Sequence, residues 1–144
     1  MNLFGMLEVS GSALAAERWR AEVVSANMAN AQTTRTSQGG AYRRQLVVFR
    51  ARSTPRFSFM LAKLHRAIEG GVEVDGVVSD ASPLPRRYEP GHPDADPEGY
   101  VTYPNVNPVM EMTDLLSAVR AYQLNASAVQ AAKNMIQQSL QILS

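Results

Sequence analysis

The 144-residue chain contains no cysteine, two histidines, one tryptophan and only 19% charged residues. The missing cysteine removes disulfide scaffolds, cysteine-based zinc sites, iron–sulfur clusters and thiol catalysis together, while leaving the compartment open. Apolar runs are short as well: the longest, such as Phe59-Met60-Leu61-Ala62, hold four residues, far below the roughly 18 needed to cross hydrocarbon. The start offers a small-x-small triplet, Ala13-Leu14-Ala15, but no Lys or Arg precedes Arg18 and Glu8 interrupts the apolar stretch, which argues against a cleaved secretory signal. Glycine-rich phosphate loops, Walker sequences and Gly-x-Ser-x-Gly elbows are absent. Neither His65 nor His92 has a second histidine at ligand spacing. Asp94, Asp96, Glu98 and Gly99 imitate the opening of a calcium loop, but Pro97 lies inside it and the twelfth position is Asn105, not a bidentate Glu. The expectation is no enzyme, no catalytic residues, no cofactor, no metal and no small-molecule substrate.

What is present is 45% hydrophobic sequence, enough for a small core in one modest domain or an elongated subunit. From Leu3 to about Ala31 there is no proline, and Leu3, Leu7, Leu14, Ala21, Val24 and Met28 recur mostly three, four or seven apart. This spacing predicts an amphipathic helix with a lean stripe. A second helix is predicted from Asn107 as N-cap and Pro108 at the first helical position. Val109, Met112, Leu116, Val119, Tyr122, Ala126, Val129, Ala132, Ile136 and Leu140 then follow at steps of three or four, with no Pro or Gly to the end. Such a helix is roughly 54 Å long at 1.5 Å per residue, so its stripe calls for cover by the first helix, by other subunits or by both. Between them, Tyr42–Arg52, Gly71–Val78 and Tyr100–Tyr103 read as strands, Phe57–Ile68 as a short basic helix, and Pro83–Gly99, with five prolines, as an extended or turning connection.

The formal net charge of +1 hides a block structure. Arg35–Arg66 holds eight Lys or Arg and no acid, whereas Glu69–Glu98 holds eight acids against Arg86 and Arg87. The basic block with Phe49, Phe57 and Phe59 is compatible with a nucleic-acid footprint through Arg43, Arg44, Arg50 and Arg52, but the acidic block would repel phosphate. Two blocks of opposite sign more naturally meet each other, within a subunit or between neighbours. The Phe57–Ile68 stretch could also lie on an anionic membrane surface, though packing on its own domain suits three turns better.

Ala26-Asn27-Met28-Ala29-Asn30-Ala31 closely resembles the Ser-Asn-(Leu/Met)-Ala-Asn motif of bacterial flagellar axial proteins. Four further stretches are similar to the flagellar basal-body rod proteins of the proximal-rod C type: Tyr42–Phe49, Tyr88–Asp96, Gly99–Asn107, and Glu111-Met112 followed by Ala118–Asn125. The positions that carry the resemblance are Asn27, Ala29, Asn30, Tyr88, Pro90, Gly91, Gly99, Tyr100, Pro104, Asn105, Glu111 and Met112. Met28 stands where Leu is commoner in the family, and Ser53–Ile68 falls in its variable stretch.

The resemblance implies an α+β fold: long N- and C-terminal helices packing as an antiparallel coiled-coil-like pair, over 1–34 and 105–144, with a small β-containing central segment over 35–104. It implies a structural subunit of the proximal rod in the flagellar basal body, exported uncleaved by the flagellar type III apparatus and assembled in the periplasm with itself and other rod subunits into a torque-transmitting helical tube. The membrane-embedded ring at the rod base is a further implied partner; nucleic acid is not. Asn27 and Asn30 are expected to end the first helix and hold the turn, and Asn105 and Asn107 to enforce the return. Leu7, Leu14, Val24, Met28, Met112, Leu116, Val119, Tyr122, Val129, Ile136 and Leu140 are the expected seam residues, as intrachain core or as intersubunit contacts.

Overall fold

A computed structural model describes residues 3–52 and 70–143; the short basic helix expected over Phe57–Ile68 lies outside the described residues. The element order is α1 (Leu3–Ala29), β1 (Gln45–Ala51), β2 (Val72–Ser79), β3 (Arg86–Tyr88), β4 (Tyr100–Thr102) and α2 (Pro108–Leu143). β1 pairs with β2 and β3 with β4, giving two two-stranded sheets. The α+β class expected from the sequence is what the chain adopts. No helix among the described residues is long and apolar enough to cross a membrane.

Both helix boundaries follow from local chemistry. At the end of α1, Asn30 donates from Nδ2 to the Ala26 carbonyl at 2.9 Å and accepts from the Thr33 hydroxyl at 3.1 Å. Its side chain thereby joins its own backbone N–H, which donates to the same carbonyl at 3.1 Å, and ties the helix end to the following turn. At the start of α2, Asn107 Oδ1 accepts from the backbone N–H of Val109 at 3.0 Å, and Pro108 supplies no N–H to be left over.

The chain divides into two compact units that are not consecutive stretches of sequence. One comprises Met1–Trp19, Phe49–Asp75 and Ala118–Ser144. In it Ser12 Oγ donates to the Val9 carbonyl at 2.7 Å and accepts from the Val72 N–H at 3.1 Å, fastening α1 to the start of β2. Gly71, at φ 128°, lies so close that a Cβ there would sit 3.1 Å from Ser12 Oγ. Arg52 pairs with Glu8 at 3.2 Å and Arg50 with Asp75; both pairs are exposed enough to contribute little stability.

The other unit comprises Arg20–Val48 and Gly76–Ser117. Its β3–β4 hairpin is antiparallel, with Arg86 opposite Thr102, Arg87 opposite Val101 and Tyr88 opposite Tyr100. Val101 is buried beneath it. The connection between the strands is the stretch that imitates a calcium loop, and its carboxylates are committed to the chain itself. Asp96 Oδ1 accepts from the N–H groups of Tyr100 at 2.8 Å and Glu98 at 3.0 Å, and its other oxygen pairs with Arg86. Asp94 accepts from the Thr34 hydroxyl at 2.8 Å and faces Arg35 at 3.7 Å. Among the described residues no group of acids and histidines is arranged to hold a metal. Gly99 closes the turn at φ 84°, where a Cβ would meet Tyr88 Cε2 at 2.9 Å and Pro90 Cβ at 3.2 Å.

Two outcomes are expected. Gly99→Ala forces a left-handed alanine against Pro90 and should destabilise the hairpin by about 1–3 kcal/mol, read as a lowered melting temperature; an unchanged melt would contradict this geometry. The backbone N–H of Tyr100 and the Arg86 guanidinium hold the Asp96 carboxyl below its ordinary value. A depressed carboxylate stabilises the fold above its unfolded pKa, about 3.9, and loses that contribution as pH falls through its lower native value. The protection factors of the Glu98 and Tyr100 amides, taken relative to the intrinsic exchange rate at each pH, should therefore fall below about pH 4, and that fall should be absent in Asp96→Asn.

Candidate functional site

The most heavily engaged side chain is Asn27, three positions before the proline-free helix α1 gives way to its terminal turn. It is fully buried. Its Nδ2 donates to the Gln45 carbonyl and to Glu111 Oε2, both at 2.9 Å. Its Oδ1 accepts from the Gln45 N–H and the Tyr42 hydroxyl, again at 2.9 Å. All four hydrogen-bonding positions of the amide are filled, as burial demands. Asn27 therefore does not end the helix: it fastens the start of β1 and the first turn of α2 onto α1, and Asn30 makes the termination.

Glu111, the other buried polar residue of this cluster, is 0% exposed. Its Oε1 lies 2.5 Å from Arg44 Nε, and Arg44 reaches on to Asp114 at 3.1 Å, which also faces Arg20 at 3.5 Å. The Arg44 backbone N–H donates to Asn105 Oδ1 at 2.8 Å. Burial, and then the negative charge of Glu111, push the Tyr42 phenol above its ordinary pKa; Tyr42 remains a donor to Asn27. The contacts Asn27–Glu111 and Arg20–Asp114 run in opposite chain directions, so α1 and α2 are antiparallel in this unit. Glu111 and Asn27 stood out in the sequence as family positions; Tyr42 entered only as the start of a family-like stretch, Arg44 only as a candidate phosphate contact, and Asp114 not at all. The available signal was an acid in an otherwise apolar first turn, which needs a cation from elsewhere in the chain.

The remaining motif positions distribute around the same unit. Gly99 and Pro104 are buried, Asn105 is half-buried, and Tyr88, Pro90, Gly91, Tyr100, Met112 and Ala29 are exposed. Tyr88 and Tyr100 stack edge to face at 5.3 Å, with the Arg86 guanidinium 5.1 Å from the Tyr100 ring centre.

The expected seam residues divide into two sets. Val24 is buried and Leu7, Leu14, Met28, Val129 and Ile136 are half-buried. Met112, Leu116, Val119, Tyr122 and Leu140 are exposed, between 42% and 62%. On α2 the buried positions are Glu111, Ala118 and Ala132, with Leu115, Ala121, Asn125 and Ala128 half-buried. The small side chains face the protein and many of the large ones face out. Val109, Met112, Leu116 and Val119 continue the exposed row at steps of three and four, the spacing of a helix seam.

The charge blocks meet within the chain. Arg35 and Arg50 of the basic block pair with Asp94 and Asp75 of the acidic block, whereas Arg44 and Arg52 pair with Glu111 and Glu8 outside it, and Arg43 donates to the carbonyls of Asp80 and Ser82 at 3.3 Å. The Asp80 carboxyl is held below its ordinary value chiefly by the Ser82 hydroxyl.

The comparison with known proteins converges on one family. Residues 98–142 match the family described as flagellar basal body rod FlgEFG protein C-terminal, and residues 7–35 match that described as flagella basal body rod protein. Proteins named flagellar basal-body rod protein FlgC are similar over nearly their whole length: 42% identical in Borreliella burgdorferi and 39% in Bacillus subtilis, each over 99% of both chains. The Escherichia coli O157:H7 protein of that name is 37% identical over 97% of both. The buried Asn27, the hairpin and the α2 start thus lie in a chain that belongs to the flagellar basal-body rod protein FlgC family.

Proposed function

We propose that this chain is a structural subunit of the proximal rod that assembles with itself and with other rod subunits into a helical tube carrying motor torque. The observation that carries the reading is the exposed row Val109, Met112, Leu116 and Val119 on α2. Large apolar side chains at helix-seam spacing gain about 25 cal/mol per Å² when a neighbouring helix covers them, and a tube of packed helices supplies such neighbours repeatedly. Tyr122 and Leu140, also exposed, extend the same reading along α2. Val24, with Leu7, Leu14, Met28, Val129 and Ile136, then serves the subunit's own packing. Export by the flagellar type III apparatus, assembly in the periplasm and contact with the membrane-embedded ring at the rod base belong to the same proposal. The subunit acts through interfaces and not through catalysis.

Because Met112 and Leu116 are exposed, Met112→Asp and Leu116→Asp should change the free subunit's stability by less than about 0.5 kcal/mol while abolishing rod assembly and swimming. Normal motility in both variants would sink the proposal. Ile136→Asp, at a half-buried site, should lower both stability and motility, since a charge without a partner in a packed position costs several kcal/mol.

The basic block motivates a second reading as a nucleic-acid module, which the intrachain pairing of its arginines disfavours. A DNA or RNA probe should migrate unchanged with the subunit at low salt; a shift that disappears as salt is raised would favour that reading instead.

A further inference from the structure

The two helices face an alignment problem in the unit formed by Arg20–Val48 and Gly76–Ser117. The part of α2 inside this unit, 108–117, offers little apolar surface to set its position: Glu111 is its one buried residue, Asp114 and Leu115 are half-buried, and Val109, Met110, Met112 and Leu116 are exposed. Apolar packing that sparse leaves the axial position of the helix degenerate.

Glu111 removes the degeneracy. Its two carboxylate oxygens meet Arg44 Nε at 2.5 Å and Asn27 Nδ2 at 2.9 Å with no exposure to water. A slide of one turn brings Leu115 opposite Asn27 and leaves the Glu111 carboxylate buried away from its cation, the arrangement most strongly penalised for an ion. Asn27 has no freedom to follow, since its remaining donor and both acceptor positions are held by Gln45 and Tyr42. Arg44 is likewise fixed through its backbone N–H to Asn105.

We propose that Arg44, Glu111 and Asn27 form a register lock, which sets the axial position of the first turn of α2 against the end of α1. The inference goes beyond the assembly reading, because it concerns the subunit alone and holds whatever its neighbours are. A buried polar contact that selects one register among near-equal apolar ones is its general physical precedent. Its consequence is that the exposed α2 row is presented at a single height relative to α1 in this unit.

The absence of cysteine makes the test direct. Ser25→Cys and Ser117→Cys place two unique labels on exposed positions of α1 and α2, both within this unit and outside the cluster. Spin-label distances in the full-length subunit should show one narrow population. In the R44M/E111M background the far-UV helical signal should persist while the distance distribution splits or broadens by about 5–6 Å, one helical turn. In E111L/L115E the main distance should move by about 6 Å, as the relocated carboxylate finds Arg44 again. A single unchanged distance in R44M/E111M with helices intact overturns the proposal. Loss of the helical signal in that variant also overturns it, because the cluster would then supply stability rather than register.

Discussion

A carboxylate that no water reaches governs the fold of the unit that carries the family motif. Burying the Glu111 carboxylate calls for a cation and a donor beside it, and they come from opposite directions: Arg44 from the stretch leading into β1 and Asn27 from α1. Removing Arg44 would leave a buried charge uncompensated, at about 3–5 kcal/mol, and removing Asn27 would leave one carboxylate oxygen without its donor, at about 1–3 kcal/mol. The backbone around Gln45 and the return at Asn105 are tied to the same groups. The end of α1, the start of β1 and the first turn of α2 are thus joined by polar geometry.

That division of labour shapes the surface. Alanines on the protein side of α2 leave its large residues exposed, where a stable monomer has no use for them and an assembling subunit does. The charged blocks take the complementary course. Basic-block arginines are paired with acids of the same chain at Arg35–Asp94, Arg44–Glu111, Arg50–Asp75 and Arg52–Glu8. Of the two meetings of the blocks that the sequence allows, within a subunit or between neighbours, Arg35–Asp94 and Arg50–Asp75 are the first kind. The surface proposed for association on α2 carries large apolar side chains.

Helices were the most legible part of the chain, because periodicity, the Asn107-Pro108 start and the Asn30 end are local signals that tertiary contacts do not override here. β1, β2 and β4 were legible for the same reason. β3 was not: Arg86-Arg87-Tyr88 is three exposed residues between prolines, with no apolar alternation, and only its pairing with Tyr100–Thr102 makes it a strand. Along α2 the period identified an apolar row but not the direction it faces, since alanines closer to the protein can outrank larger residues when helices approach closely. Long-range polar contacts were the least legible. Glu111 and Asp114 carry no sequence mark of their partnership with Arg44, contacts made across 67 and 70 positions.

The measurement that tests the central claim most directly is a reconstruction of the isolated basal body at side-chain resolution with this chain traced in it. The account requires Met112, Leu116, Val119 and Tyr122 to be covered by helices of neighbouring subunits, with Glu111 still paired to Arg44 inside each subunit. Those side chains facing open solvent, or Glu111 paired across a subunit boundary, would contradict it.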